Sequence, residues 1–130
     1  MRKPVSIPKL KAKALALFAQ VVKNEAYQSG EMNCFTCGAY LELGTSNCQL
    51  GHYLSRGAYP GLTFHPDNSR LQCFRCNCHL HGNLVEFRER LINEIGLERV
   101  EKLEASRHEQ KKWSRAELHE MIWAYNDKLK

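Results

Sequence analysis

Helical periodicity dominates both ends of this chain, and the middle has almost none. Leu10, Ala14, Leu17, Phe18 and Val21 recur at three- and four-residue spacing and predict a helix from about Leu10 to Tyr27 with one apolar stripe. Ser29-Gly30 supplies its stop. Leu84, Phe87, Leu91 and Ile95 predict a second helix, capped by Asn83 with Glu86 three residues on and closed by Gly96. Leu97, Val100 and Leu103 predict a third, running to Ser106. After a charged linker over 108–113, Ser114-Arg115-Ala116-Glu117 is a capping-box pattern, and Leu118, Met121, Ile122, Tyr125 and Leu129 share one face of a fourth helix.

The middle reads differently. Tyr40 to Leu43 alternates weakly as a first short strand, and Gly44 to Asn47 is a turn cluster. Gln49 to Leu54 predicts a second strand with His52 near its end. A loop over 55–68 carries Gly57, Pro60, Gly61 and Pro66, and is too long for a simple connector. Ser69 to Gln72 is a short strand or turn. A β-segment this small does not hold together by burial alone.

The length of 130 residues fits one domain, with ordinary apolar (43%) and charged (25%) fractions. No apolar run approaches the ~18 residues of a membrane span. The start, Met1-Arg2-Lys3-Pro4, lacks the apolar core of a signal peptide, so a cytoplasmic protein with no membrane partner is expected. The net charge of +5 is compatible with a polyanionic partner. Residues 1–9 form a basic arm broken by Pro4 and Pro8. Lys9, Lys11 and Lys13 sit where the helix macrodipole disfavours cations. Either solvent screens them or a phosphate backbone compensates them.

Six cysteines matter most. Disulfides fit a reducing compartment poorly. Cys34-Phe35-Thr36-Cys37 and Cys73-Phe74-Arg75-Cys76 instead give two Cys-x-x-Cys pairs, the spacing of a structural Zn2+ site. Four thiolates close the tetrahedron and leave no position for a reacting water, so they hold the fold and do not catalyse. Cys48 and Cys78 remain as free thiols or core filler.

Between the pairs lie residues suited to chemistry. A neutral His52 at a strand end can take a proton from water near neutral pH. Asn68, at the end of the loop, is placed for its carboxamide oxygen to orient that imidazole. Asn77 follows the last thiolate directly, and its oxygen suits Mg2+ or Mn2+. Such an ion takes few protein ligands and completes its shell with water and substrate phosphate. Arg56, Arg70, Arg75, Arg88 and Arg90 are candidates for phosphate contacts. His79 and His81 flank the site, and His65 lies in the loop.

The order Cys-x-x-Cys, His, Asn, Cys-x-x-Cys-Asn resembles the His-Asn-His (ββα-metal) endonuclease superfamily, in particular its zinc-containing members typified by the endonuclease VII junction resolvases. Gly51-His52-Tyr53-Leu54-Ser55-Arg56-Gly57-Ala58, Phe64, Asp67-Asn68, Gln72-Cys73, Cys76-Asn77, Gly82-Asn83 and Ile95-Gly96-Leu97-Glu98-Arg99-Val100 are similar to the NinG/Rap family of phage recombination endonucleases. The resemblance covers roughly residues 30 to 130. It implies His52 as general base, Asn68 as its orienting residue and Asn77 as the last metal-binding position. It also implies branched DNA, such as Holliday junctions or D-loops, as substrate, and a homodimer made through the C-terminal helices. Many related nucleases carry an acidic metal ligand just ahead of the histidine. Here Gly51 has no side chain, and neutral Gln49 is the candidate ligand ahead of Asp67.

The expected fold is therefore α+β: a zinc-stapled ββα-metal core over 30–95, preceded by a basic arm and helix over 1–29 and followed by a helical extension over 96–130. The rival expectation is a zinc module that binds nucleic acid without cutting it. A third is an adaptor that binds protein through its last helices.

Overall fold

The computed structural model describes residues 3–130; the first two positions of the predicted basic arm lie outside the described residues. Helix α1 spans Ile7–Ser29. Ser6 caps it, accepting from the Lys9 N–H, and Gly30 closes it in the left-handed region at φ 79°. The helix buries Leu10, Ala14, Phe18 and Val21, four of the five positions of the predicted stripe.

The sheet is one antiparallel ladder of two strands, β1 (Gln49–His52) and β2 (Ser69–Gln72), in the register Gln49 to Gln72 and His52 to Ser69. The strand expected over Tyr40 to Leu43 does not form. Its residues contribute a single bridge, Asn33 to Tyr40, because that segment closes the first cysteine knuckle rather than a sheet edge. The long loop between the strands is held by two short 3-10 turns, Pro60–Leu62 and Pro66–Asn68. The second cysteine pair leads into a π-helical turn, Arg75–His79.

Three helices follow: α2 (Leu84–Ile95), α3 (Leu97–Ser106) and α4 (Arg115–Lys128). The capping box at Ser114 and Glu117 forms with both of its hydrogen bonds. The one predicted for Asn83 does not. His81, Gly82 and Asn83 turn the chain through three successive positive φ values, and the Asn83 amide points to the Cys76 sulfur, 3.7 Å away. Leu84 and Leu97, expected inward, are about half exposed, since both open their helices on the solvent side of the turn.

Burial divides into three apolar clusters. One surrounds the cysteines, with Met32, Leu41, Cys48 and Leu71. A second joins Tyr53, Leu54 and Leu62 to Phe87 and Leu91 of α2 and to Val100 and Leu103 of α3. The third packs α1 on α4 around Phe18, Leu118 and Ile122, with Phe64 of the loop between them. The N-terminal helix and the C-terminal extension thus meet, and the hairpin is gripped from both sides. No helix among the described residues is long and apolar enough to cross a membrane.

Candidate functional site

The two knuckles bring Cys34, Cys37, Cys73 and Cys76 together, with all four sulfurs within 4.8 Å of one another. Cys37 and Cys73 sulfurs are 3.7 Å apart. A zinc–sulfur bond of 2.3 Å sets a tetrahedron edge of about 3.8 Å, so this donor set fits a structural ion such as zinc. All six cysteines are free thiols. Burial pushes the Cys34 thiol up, but hydrogen bonds from the Thr36 hydroxyl and nearby backbone more than reverse this and bring it to about 6. Cys48 is core filler, as expected.

Gln72 ties this cluster to the strands. It is fully buried, and its Nε2 donates to Thr36 Oγ1 of the first knuckle and to the Gly82 carbonyl beyond the second. Because a carbonyl only accepts, that contact fixes which end of the carboxamide is nitrogen. Its Oε1 has no hydrogen-bond partner and lies 2.0 Å from where a Cβ on Gly51 would stand. Gly51, just ahead of His52, is therefore glycine for lack of space.

The same logic orients Asn77. Gln49 Nε2 donates to the Ser46 carbonyl, 2.8 Å, so Gln49 Oε1 is its acceptor end. That oxygen accepts from Asn77 Nδ2 at 2.8 Å and from the Cys78 thiol at 3.3 Å. Asn77 Oδ1 is then left without an intramolecular donor among the described residues, while Gln49 Oε1, expected as a metal ligand, is occupied by two donors. Gln49 orients Asn77 instead. Asp67, the other carboxylate candidate, is paired with Arg99.

His52 is half-buried, and its Nε2 lies 2.9 Å from the Thr63 carbonyl. The carbonyl requires the proton on Nε2, which leaves Nδ1 as the free basic nitrogen. Burial lowers the imidazole pKa below its ordinary 6.5, the Thr63 bond opposes this, and the Arg56 charge lowers it further. Asn68 does not touch the ring. Fully buried, it accepts from the Leu54 N–H and donates to the Leu54 and Leu62 carbonyls, fastening the loop one residue from Thr63. Its action on His52 is indirect, contrary to the expected direct contact, because Leu54 N–H already uses its oxygen.

Gln49 and His52 stand three residues apart, so their side chains leave opposite faces of β1. Gln49 meets Asn77, His52 meets the loop, and among the described residues no hydrogen bond joins the two groups. Of the expected phosphate contacts, Arg70 bonds Glu94 through Nε and Nη2 and covers the Phe35 ring. Arg88 bonds both oxygens of Glu104, which also accepts from the Tyr53 hydroxyl at 2.6 Å. Both arginines are thus committed to internal carboxylates. Arg90 pairs with Glu86 one turn earlier. Arg56 and Arg75 form no ion pair among the described residues. The Tyr53–Glu104–Arg88 cluster, which joins the end of the hairpin to α2 and α3, was not foreseeable, since its members are scattered along the chain.

These features define a small mixed α+β protein with a four-cysteine, metal-competent cluster at one end of a hairpin and a half-buried histidine at the other. The chain belongs to the NinG family: the family model described as Bacteriophage Lambda NinG protein matches residues 5–130. The "Protein ninG" of Escherichia phage 933W is 38% identical over 100 residues, covering 77% of this chain and 48% of that protein. Those of Escherichia phage lambda and Salmonella phage P22 are 37% and 36% identical, each over 77% of this chain and 47% of the relative. The chain spans about half the length of these curated relatives. No solved structure matches it.

Proposed function

We propose that this protein is a divalent-metal-dependent DNA endonuclease that cuts branched recombination intermediates, such as Holliday junctions or D-loops, in a phage-infected cytoplasm. The observation that carries the reading is His52: a half-buried imidazole held in one tautomer by the Thr63 carbonyl, with Nδ1 free and a pKa below its ordinary value. A general base needs this state at neutral pH. In the reaction, His52 Nδ1 takes the proton of the attacking water, and Asn68 keeps the loop, and hence Thr63, in place. Asn77 holds Mg2+ or Mn2+ through Oδ1, and the chemistry such an ion supplies when bound is neutralisation of charge on the leaving oxygen. The four cysteines hold Zn2+ and fix the backbone on which Asn77 is mounted. Cutting both arms of a junction takes two sites, which a homodimer provides.

The absence of a bond between His52 and Asn77 favours one rival, a zinc module that binds nucleic acid without cutting. A labelled four-way junction with Mg2+ or Mn2+ separates the two readings. Wild type should cut; His52→Ala should bind yet cut at least about 100-fold more slowly, a general base contributing on the order of 10²–10⁴. Asn77→Ala should keep zinc and lose cleavage. Wild type that binds and never cuts leaves the non-catalytic module.

A further inference from the structure

The basic side chains of this protein sort into two groups. Arg70, Arg88, Arg90, Arg99 and Lys111 are each matched by a carboxylate. Lys11 and Arg56 are among the many that form no ion pair within the described residues, and these two line one cleft, a space of about 430 Å³ between the first turns of α1 and the loop after β1.

Three further observations give this cleft a chemistry. Thr63 is part of its wall, and the Thr63 carbonyl is the group that holds His52, so cleft and base share a boundary. The loop closes one turn at Ser55, whose carbonyl accepts from Tyr59 N–H and whose hydroxyl accepts from Ala58 N–H. The N–H groups of Arg56 and Gly57 are left without an intramolecular acceptor among the described residues. On the opposite wall, α1 has no acid in its first turn to balance its positive end and its lysines. Cations from two elements, and two residues with spare amide donors, line one space whose lining holds no acid. A phosphodiester backbone supplies the missing anion.

We propose that this cleft is the groove for the sugar–phosphate backbone of the DNA strand running past His52, with Lys11 and Arg56 each contacting a phosphate. The choice of DNA as occupant rests on the nuclease reading; the anion-binding groove does not. Contacts of this kind position a strand without reading its sequence.

The test is binding of a fluorescent four-way junction, without added divalent ion, across a range of salt concentrations. The Lys11→Gln/Arg56→Gln variant should bind roughly 10- to 100-fold more weakly, and its log affinity against log salt should be shallower by about two. Lys11→Arg/Arg56→Lys should recover most of the affinity, and Lys102→Gln, at an exposed cation of α3 outside the cleft, should match wild type. Zinc content and melting temperature verify that each variant is folded; if the double variant loses zinc, the single variants, each shallower by about one, decide. Wild-type affinity and slope in the neutralised variants overturn the groove, as does wild-type binding indifferent to salt. Cleavage is scored separately. A wild type that cuts while neutralisation leaves binding unchanged sinks the groove alone. A wild type that never cuts while neutralisation weakens binding sinks the nuclease alone.

Discussion

His52 shows how far a residue type determines chemistry and where its surroundings take over. A histidine ordinarily titrates near 6.5. Burial and the Arg56 charge disfavour the His52 cation more than the Thr63 bond favours it. The protonated ring cannot accept a proton, so cleavage should fall as pH drops through a midpoint below 6.5 and be level just above it. Single-turnover rates against pH, with NMR titration of the ring, would measure this; a midpoint above 6.5 would contradict it. The sequence singles out His52 as a histidine between two metal-ligand pairs, and Asn77 as the neighbour of a cysteine in a readable motif; their roles are those proposed above. Thr63 was not, because its contribution is a backbone carbonyl that every residue possesses. Nor were the partners of Arg70 and Arg88, whose acids lie in distant helices. The role of Gln49 was misjudged for a related reason: sequence shows an available oxygen but not the Asn77 and Cys78 donors that occupy it.

At the scale of the element, the hairpin depends on a fit between Gly51 and Gln72. The Gln72 carboxamide bridges both cysteine knuckles and fills the space a side chain at 51 would need. Gly51→Ala should therefore destabilise by roughly 1–3 kcal/mol, the usual cost of overpacking. Truncating Gln72 removes the obstacle, so Gly51→Ala/Gln72→Ala should cost less than the sum of the single changes, with a coupling of about 0.5–3 kcal/mol. Urea unfolding of the zinc-loaded proteins would show it; strict additivity would mean that the contact does not constrain the strand. The helices were the most legible elements, since their stripes repeat over several turns. The strand expected near Tyr40 and the cap expected at Asn83 failed at the knuckles. There the geometry of four converging sulfurs, and not local propensity, sets the backbone.

For the whole molecule, the three apolar clusters explain why the loop beside His52 is part of the frame and not a lid. Leu62 enters one core and Phe64 another, where Phe64 meets Phe18 and Trp113 at ring distances of 6.0 and 5.2 Å. The site wall is thereby anchored to α1, α2 and the segment before α4, and the cysteine cluster anchors the opposite end of the hairpin. The order of elements, a helix, then the hairpin between the cysteine pairs, then three helices, was legible in the sequence. The packing of α1 on α4 was not, because an amphipathic stripe does not name its partner. The central claim is that this frame carries a second, catalytic metal position at Asn77. Anomalous scattering from crystals grown with Mn2+ tests it directly. The account predicts a manganese peak about 2 Å from Asn77 Oδ1, separate from the zinc among the cysteines; manganese absent from Asn77, or confined to the cysteines, would contradict it.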